Sequence, residues 1–301
     1  MTAALDERFA ELPTGITICY AVDGPDEGTP LLLVAGLGQQ LHAWPAELVD
    51  DLVARGFRVI RLDNRDAGRS SRIDAPPPAT WRKLLARARP DAYSLGDMAE
   101  DVAGLLDHLG VRRAHVVGMS MGGMIAQTLA AEHPERVLGL VSIISTTGRA
   151  GVGQPAWSTK LRLARRPART RGESIARHLG MTAHLAGTAH PLDPAAETAY
   201  AELAWERVAD PRATGAGTAR QIQAIQASGD RTAQVRGISA PTLVVHGDRD
   251  LIVHPSGGRT TAQTVPGARL VVIPGMGHHL APGVLPRLVD LISQHARGVA
   301  A

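Results

Sequence analysis

The stretch Gly118-Met119-Ser120-Met121-Gly122 carries the reading of this chain. A bare G-x-S-x-G arises by chance, so its setting decides. The apolar run His115-Val116-Val117 comes before it and reads as a strand; Met121 to His133 comes after it and reads as a helix. That is the strand–turn–helix setting in which a serine is held at a sharp turn, with its Oγ exposed at the carboxyl end of the strand. The backbone there is strained, and flanking glycines avoid the clashes a Cβ would make. Ser120 is the candidate nucleophile.

Outward from this turn, short apolar runs alternate with longer helical patterns. Leu31 to Val34, Phe57 to Asp63, Val137 to Ile144, Thr242 to Val245 and Leu270 to Ile273 read as strands. Ala46 to Arg55, Asp97 to Leu109 and Val284 to Ala296 read as helices, the first two stopped by Gly56 and Gly110. The repetition predicts an α/β fold with a mostly parallel central sheet covered by helices on both faces. Ile16 to Val22 reads as an antiparallel edge strand. The rhythm breaks between Thr147 and Val235, a segment rich in Ala, Arg, Gly and Thr that reads as several short helices. The expected organisation is a core in two parts, 1–146 and 236–301, with a small helical cap at 147–235.

A serine hydroxyl is a poor nucleophile at neutral pH, so it needs a base, and the base needs an orienting carboxylate. Two strand ends supply them. After Thr242 to Val245 comes His246-Gly247-Asp248-Arg249-Asp250, and after Leu270 to Ile273 comes Pro274-Gly275-Met276-Gly277-His278-His279. Spacing leaves Asp248 and Asp250 open as the acid, and His278 and His279 open as the base. An oxyanion hole needs two backbone donors. Met121 N–H, directly after the nucleophile, is one, and the loop after Leu31 to Val34 should supply the other.

The segments LLLVAGLG, RVIRLDNRDAGRS, AHVVGMSMGG, APTLVVHGDRDLIVHP and IPGMGHH, in this order, resemble the α/β-hydrolase-fold serine hydrolases. The likeness covers roughly residues 15–145 and 236–297. It implies Asp250 as the acid, His278 as the base and Leu37 N–H as the second oxyanion donor. Family members often read His-Gly-x where this chain reads Ala35-Gly36-Leu37, which puts the usual support of that loop in question. Many also carry Gly where Asp66 stands. The Arg65-Asp66 pair with GMSMG and PGMGH resembles methylesterases that tailor anthracycline-type polyketides. The resemblance implies an esterase acting on a small-molecule ester. The alternatives are a lactonase, thioesterase, C–C bond hydrolase or cofactor-free perhydrolase with the same triad, or a ligand-binding protein with little turnover.

Composition bounds the rest. With 301 residues, 44% hydrophobic and 20% charged, the chain can bury a large core. The single cysteine, Cys19, excludes a disulfide framework and a cysteine-based zinc site. No apolar run approaches a membrane span, and the N-terminus lacks a secretory signal, so a cytoplasmic monomer or homodimer is expected. Lys160, Arg162, Arg165, Arg166, Arg169 and Arg171 form a basic cluster. It reads as a solvated helix face, with few aromatic residues to stack bases, so no nucleic-acid partner is expected. Gly36-Leu37-Gly38 half-resembles a dinucleotide fingerprint, but Leu41 occupies the third glycine position. No cofactor and no metal are expected. The substrate should sit between cap and sheet, with Gly36, His42, Trp157, Met181 and Trp205 as candidate lining residues and Trp44 close by.

Overall fold

Runs such as Leu31-Leu32-Leu33-Val34 have no polar face to turn to water, so they settle as strands covered on both sides. The computed structural model describes residues 6–78, 87–163, 168, 170–187, 189–208 and 210–299. It places these runs in one eight-stranded sheet. The strands are β1 (Arg8–Glu11), β2 (Thr17–Asp23), β3 (Thr29–Val34), β4 (Phe57–Leu62), β5 (Ala114–Met119), β6 (Val137–Ile143), β7 (Thr242–Gly247) and β8 (Arg269–Ile273). Their order is β1-β2-β4-β3-β5-β6-β7-β8. β2 pairs antiparallel with β1 and β4, and all later pairs are parallel.

The helices are α1 (Ala46–Ala54), α2 (Leu95–His108), α3 (Met121–Glu132), α4 (Trp157–Leu163), α5 (Arg171–Leu185), α6 (Pro194–Glu206), α7 (Pro211–Ser228), α8 (Thr232–Arg236), α9 (Ser256–Thr264) and α10 (Leu285–Arg297). Side chains alternate along a strand. Leu32 and Val34 therefore join one layer with Met98 and Val102 of α2 and Ile125 and Leu129 of α3. Leu31 and Leu33 join the other with Leu48 and Leu52 of α1 and Leu288 and Ile292 of α10. Ser94 starts α2 through a capping box with Asp97. The carboxyl ends of β3, β5, β6 and β7 thus open toward one end of the sheet, where the loops of interest lie.

Three elements differ from the sequence reading. The edge strand is β1, outside β2; it is four residues long with only Ala10 buried, too short for alternation to show. α9 carries no apolar stripe because its inner face is Gly257, Gly258 and Thr261. Gly258 lies against the His246 ring, where a Cβ would come within 2.5 Å of Nδ1. Between β6 and β7, three of the helices run 15, 13 and 18 residues rather than being short. In the basic cluster, Arg165, Arg166 and Arg169 lie outside the described residues, and Arg171 pairs with Glu202 and Glu206.

The loop after β4 is fixed by a buried ion pair. Arg65 Nε and Nη2 donate to the two oxygens of Asp101 on α2 at 2.5 and 2.6 Å, and both side chains are almost fully buried. Removing one partner strands a charge, which costs more than the pair contributes. Asp101→Ala is expected to lower unfolding free energy by about 3–5 kcal/mol, read as a shift of the urea midpoint. A shift no larger than that of a surface substitution would contradict this account of the loop.

Candidate active site

Gly118 and Gly122 let β5 turn abruptly into α3. A Cβ on Gly118 would meet Gly122 O at 2.2 Å, and one on Gly122 would meet Val34 O at 2.1 Å. Between them Ser120 takes φ 56°, the left-handed region that a non-glycine residue adopts only when its surroundings impose it. Here they do. Ser120 N–H donates to Ile143 O at 2.9 Å, and Ser120 O accepts from Met124 N–H at 3.2 Å and from Ser145 Oγ at 2.8 Å. Ile144, next to Ser145, also has positive φ (46°) and donates its N–H to Val245 O. Ser145 was not singled out by the sequence; a serine just past an apolar strand carries no distinctive signal.

His278 Nε2 lies 2.9 Å from Ser120 Oγ, and His278 Nδ1 lies 2.7 Å from Asp250 Oδ2. Asp250 Oδ1 accepts the N–H groups of Ile252 and Val253 at 2.9 and 2.8 Å. His246 Nε2 donates to Val253 O at 2.8 Å and stands 3.3 Å from Asp250 Oδ2. Burial alone would raise the Asp250 pKa. The charge of His278 and hydrogen bonds from His246 and His278 outweigh it and hold the carboxyl well below the usual range. The i,i+4 spacing of His246 from Asp250 was visible in the sequence, but it does not by itself announce this contact. The two open choices fall to different places. Asp248 Oδ1 accepts Gly275 N–H at 2.6 Å and ties the β7 loop to the β8 loop. His279 turns away and pairs with Glu197 of α6 at 2.8 Å.

Beside Ser120 runs the loop after β3, so close that a Cβ on Gly36 would lie 3.3 Å from Ser120 Cβ. The loop does without the histidine common in similar chains. Gln39 Oε1 accepts Gly36 N–H at 2.9 Å, and Gln39 N–H closes the turn onto Gly36 O at 3.1 Å. Gly38 N–H donates to Gln221 Oε1 at 2.8 Å, Leu41 N–H donates to Asp63 Oδ1 at 2.6 Å, and Asn64 Nδ2 donates to Ala35 O at 3.0 Å. The N–H groups of Leu37 and Met121 have no partner among the described residues.

A family model for the alpha/beta hydrolase fold matches residues 29–281. The chain belongs to that family. It is 33% identical over 300 residues to the rhodomycin D methylesterase of Streptomyces peucetius, covering 91% of this chain and 93% of that protein. It is also similar to the crystal structure of an enol-lactonase from Burkholderia xenovorans LB400, with TM-score 0.72, 26% identity, and 96% and 100% of the two chains covered. A meta-cleavage product hydrolase from Pseudomonas fluorescens IP01 shares the fold at TM-score 0.75 and 21% identity, over 97% of each chain. In this hydrolase-fold chain the loop position that many similar chains fill with glycine explains itself. Asp66 sits at φ 67°, and its carboxylate holds the conformation by accepting from Arg220 Nε at 2.9 Å, Tyr93 Oη at 2.9 Å and Ile73 N–H at 3.1 Å.

The residues expected to line the substrate space scatter. Gly36 borders Ser120. His42 packs on Tyr200 of α6 at 4.7 Å between ring centres, with Nδ1 buried and without a hydrogen-bond partner among the described residues. Met181 on α5 and Trp205 on α6 are half-buried. Trp157 departs from the expectation: it is 78% exposed, and its ring faces the Lys160 ammonium at 5.2 Å rather than an interior space. α4 is a single short helix that buries only Thr159. Trp44 is a core residue against α1 and the sheet. Among the described residues, no group of three or more His, Cys, Asp or Glu is arranged to hold a metal ion, and no helix is long and apolar enough to cross a membrane.

Burial, helped by the charge of Arg207, pushes the His42 imidazole down to about 4. Burial and then the charges of His295 and Arg113 push His115 on β5 down to about 4 as well. In the unfolded chain both take a proton near pH 6.5. Between those values the unfolded state binds more protons, so stability falls as pH drops from about 6.5 to 4. The melting temperature is expected to fall across that window, and a His42→Phe, His115→Phe double variant to show a shallower slope. An unchanged slope would assign acid sensitivity elsewhere.

Proposed function

We propose that the chain is a serine hydrolase of carboxylic esters, with Ser120 as nucleophile, His278 as general base and Asp250 as its orienting carboxylate. The observation that carries this reading is the continuous relay from Asp250 Oδ2 through His278 to Ser120 Oγ, at 2.7 and 2.9 Å. Beside it stand the N–H groups of Leu37 and Met121, unpartnered among the described residues. His278 Nε2 takes the proton as Ser120 Oγ attacks the ester carbonyl. Asp250 fixes the imidazole through Nδ1–H and stabilises its cationic form. Leu37 and Met121 N–H groups hold the oxyanion. Collapse of the tetrahedral intermediate expels the alkoxide, which takes the proton from His278 and leaves as alcohol. Water then enters, gives its proton to His278 and attacks the acyl-enzyme. The acid leaves, and the proton returns to Ser120.

The likeness to a rhodomycin D methylesterase over nine-tenths of the chain supports a methyl ester of a bulky, polyketide-like acid as substrate. In this reading residues 147–235 form the cap that bounds the acyl space, and the protein works on a small molecule in the cytoplasm. The likeness to an enol-lactonase favours a second reading, in which the same relay opens a lactone. Products separate the two. A methyl ester gives acid and methanol in equal amounts, whereas a lactone gives one ring-opened acid. Ser120→Ala is expected to lower kcat on a methyl ester by about four to six orders of magnitude while the protein stays folded. Turnover within tenfold of the parent would remove Ser120 from the chemistry.

A further inference from the structure

The oxyanion loop is not held by the core alone. From sequence position 221, far along the chain and on α7, Gln221 reaches back and grips it. Its Oε1 accepts Gly38 N–H at 2.8 Å, and its Nε2 donates to Arg65 O at 2.8 Å. The side chain is fully buried and uses both ends of its amide. Independent contacts seat α7 closely enough for this. Gly217 lies against the Asp66 carbonyl, where a Cβ would come within 2.3 Å of the oxygen. Thr218 Oγ1 lies where a Cβ on Gly38 would approach to 2.9 Å. Arg220 donates to both oxygens of Asp66.

Gly38 takes the turn's left-handed position. It has φ +67° and follows Leu37 in a turn closed by Gln39 N–H onto Gly36 O. A turn of this kind needs positive φ at its third residue and admits rotation of its central peptide. That peptide is Leu37–Gly38. Leu37 N–H belongs to the preceding peptide, Gly36–Leu37, whose carbonyl accepts Gln39 N–H. By fixing Gly38 N–H, Gln221 holds the central peptide that carries Gln39 into that bond, and through it the direction of Leu37 N–H. Without Gln221, Gly38 N–H is a buried donor with no acceptor, and the central peptide is free to turn toward any that water offers.

From this we infer that Gln221, on α7, is a positioning residue for the oxyanion hole. The inference rests on the ester-hydrolase reading above and on Leu37 N–H as a donor. Deleting an oxyanion donor outright costs about 10²–10³ in kcat, so loosening one through its support should cost less, about 10- to 100-fold. The loss should fall on the transition state and leave substrate binding alone.

The test compares Gln221→Met with Gln223→Met on the full chain. Gln223 lies on the same helix and bonds Arg89 N–H and Arg87 O, so its loss weakens helix docking without touching the oxyanion loop. On p-nitrophenyl acetate, Gln221→Met is expected to lose about 10- to 100-fold in kcat with KM within about twofold, and to bind a trifluoromethyl ketone weaker by a similar factor. Gln223→Met should keep both, whatever its melting temperature. Gln221→Glu keeps an oxygen for Gly38 N–H and, because burial favours its neutral form, an O–H for Arg65 O, so it should recover most of the loss, and it serves as the readout if Gln221→Met does not fold. Equal losses in Gln221→Met and Gln223→Met, a Gln221→Met that keeps kcat and ketone affinity, or a Gln221→Glu as impaired as a full donor deletion would each overturn the inference. Failure of the underlying reading looks different: the parent protein itself would then neither cleave the ester nor bind the ketone.

Discussion

One residue is held where its backbone would not go unaided. Ser120 has φ 56°, and a non-glycine residue so placed costs on the order of 1–3 kcal/mol unless neighbours enforce it. Two neighbouring strands and one loop enforce it. β6 supplies the Ile143 carbonyl to Ser120 N–H, the loop after β6 supplies Ser145 to its carbonyl, and β3 presses its last carbonyl against Gly122. Each contact works because the two strand layers of Leu, Ile and Val are rigid enough to transmit it. The strain is thus offset by core burial far from the hydroxyl, and the hydroxyl is delivered to one fixed point at the strand ends.

Around that point the frame is shared between the core and the helices of 147–235. His278 N–H donates to Leu185 O at 2.7 Å, and Gly277 N–H donates to Ala186 O at 3.2 Å, so the end of α5 lies along the loop that carries the imidazole. Glu197 of α6 accepts from His178 and His279 at 2.8 Å each. Burial opposes its charge, but these two hydrogen bonds and the imidazole charges lower its carboxyl to about 2. Arg207, just past α6, is buried between Asp63 and Glu7 and also bonds Gln40. The backbone and side chains of this helical segment therefore brace the loop that carries His278 and the loop after β3.

Much of the core and the elbow could be read from the sequence because their signals are local. Continuous apolar runs, helical spacing and glycines on both sides of a serine each depend on a few adjacent residues. Resemblance then separated Asp250 from Asp248 and His278 from His279, which spacing could not do. The supports were illegible for a physical reason. Ser145, Gln39 and Gln221 act through one or two side-chain hydrogen bonds to backbone groups, and any polar side chain of suitable length can make those. α9 hid because glycine and threonine, not leucine, form its inner face. Trp157 misled because a tryptophan in an insertion reads as lining, whereas here its short helix leaves it in solvent. Asp66 is the instructive case between these: the departure from glycine was visible, but the cation that makes it workable, Arg220, lies 154 residues further on.

The claim at the centre of this account is that Ser120 is an activated nucleophile beside a formed oxyanion hole. Reaction with a fluorophosphonate, read by intact mass and by peptide mapping, tests it most directly, because a resting serine does not react and phosphonylation needs both features. The account predicts one adduct per chain, on the peptide containing Ser120, abolished in His278→Ala. A chain left unmodified while remaining folded, or an adduct on another serine, would contradict it.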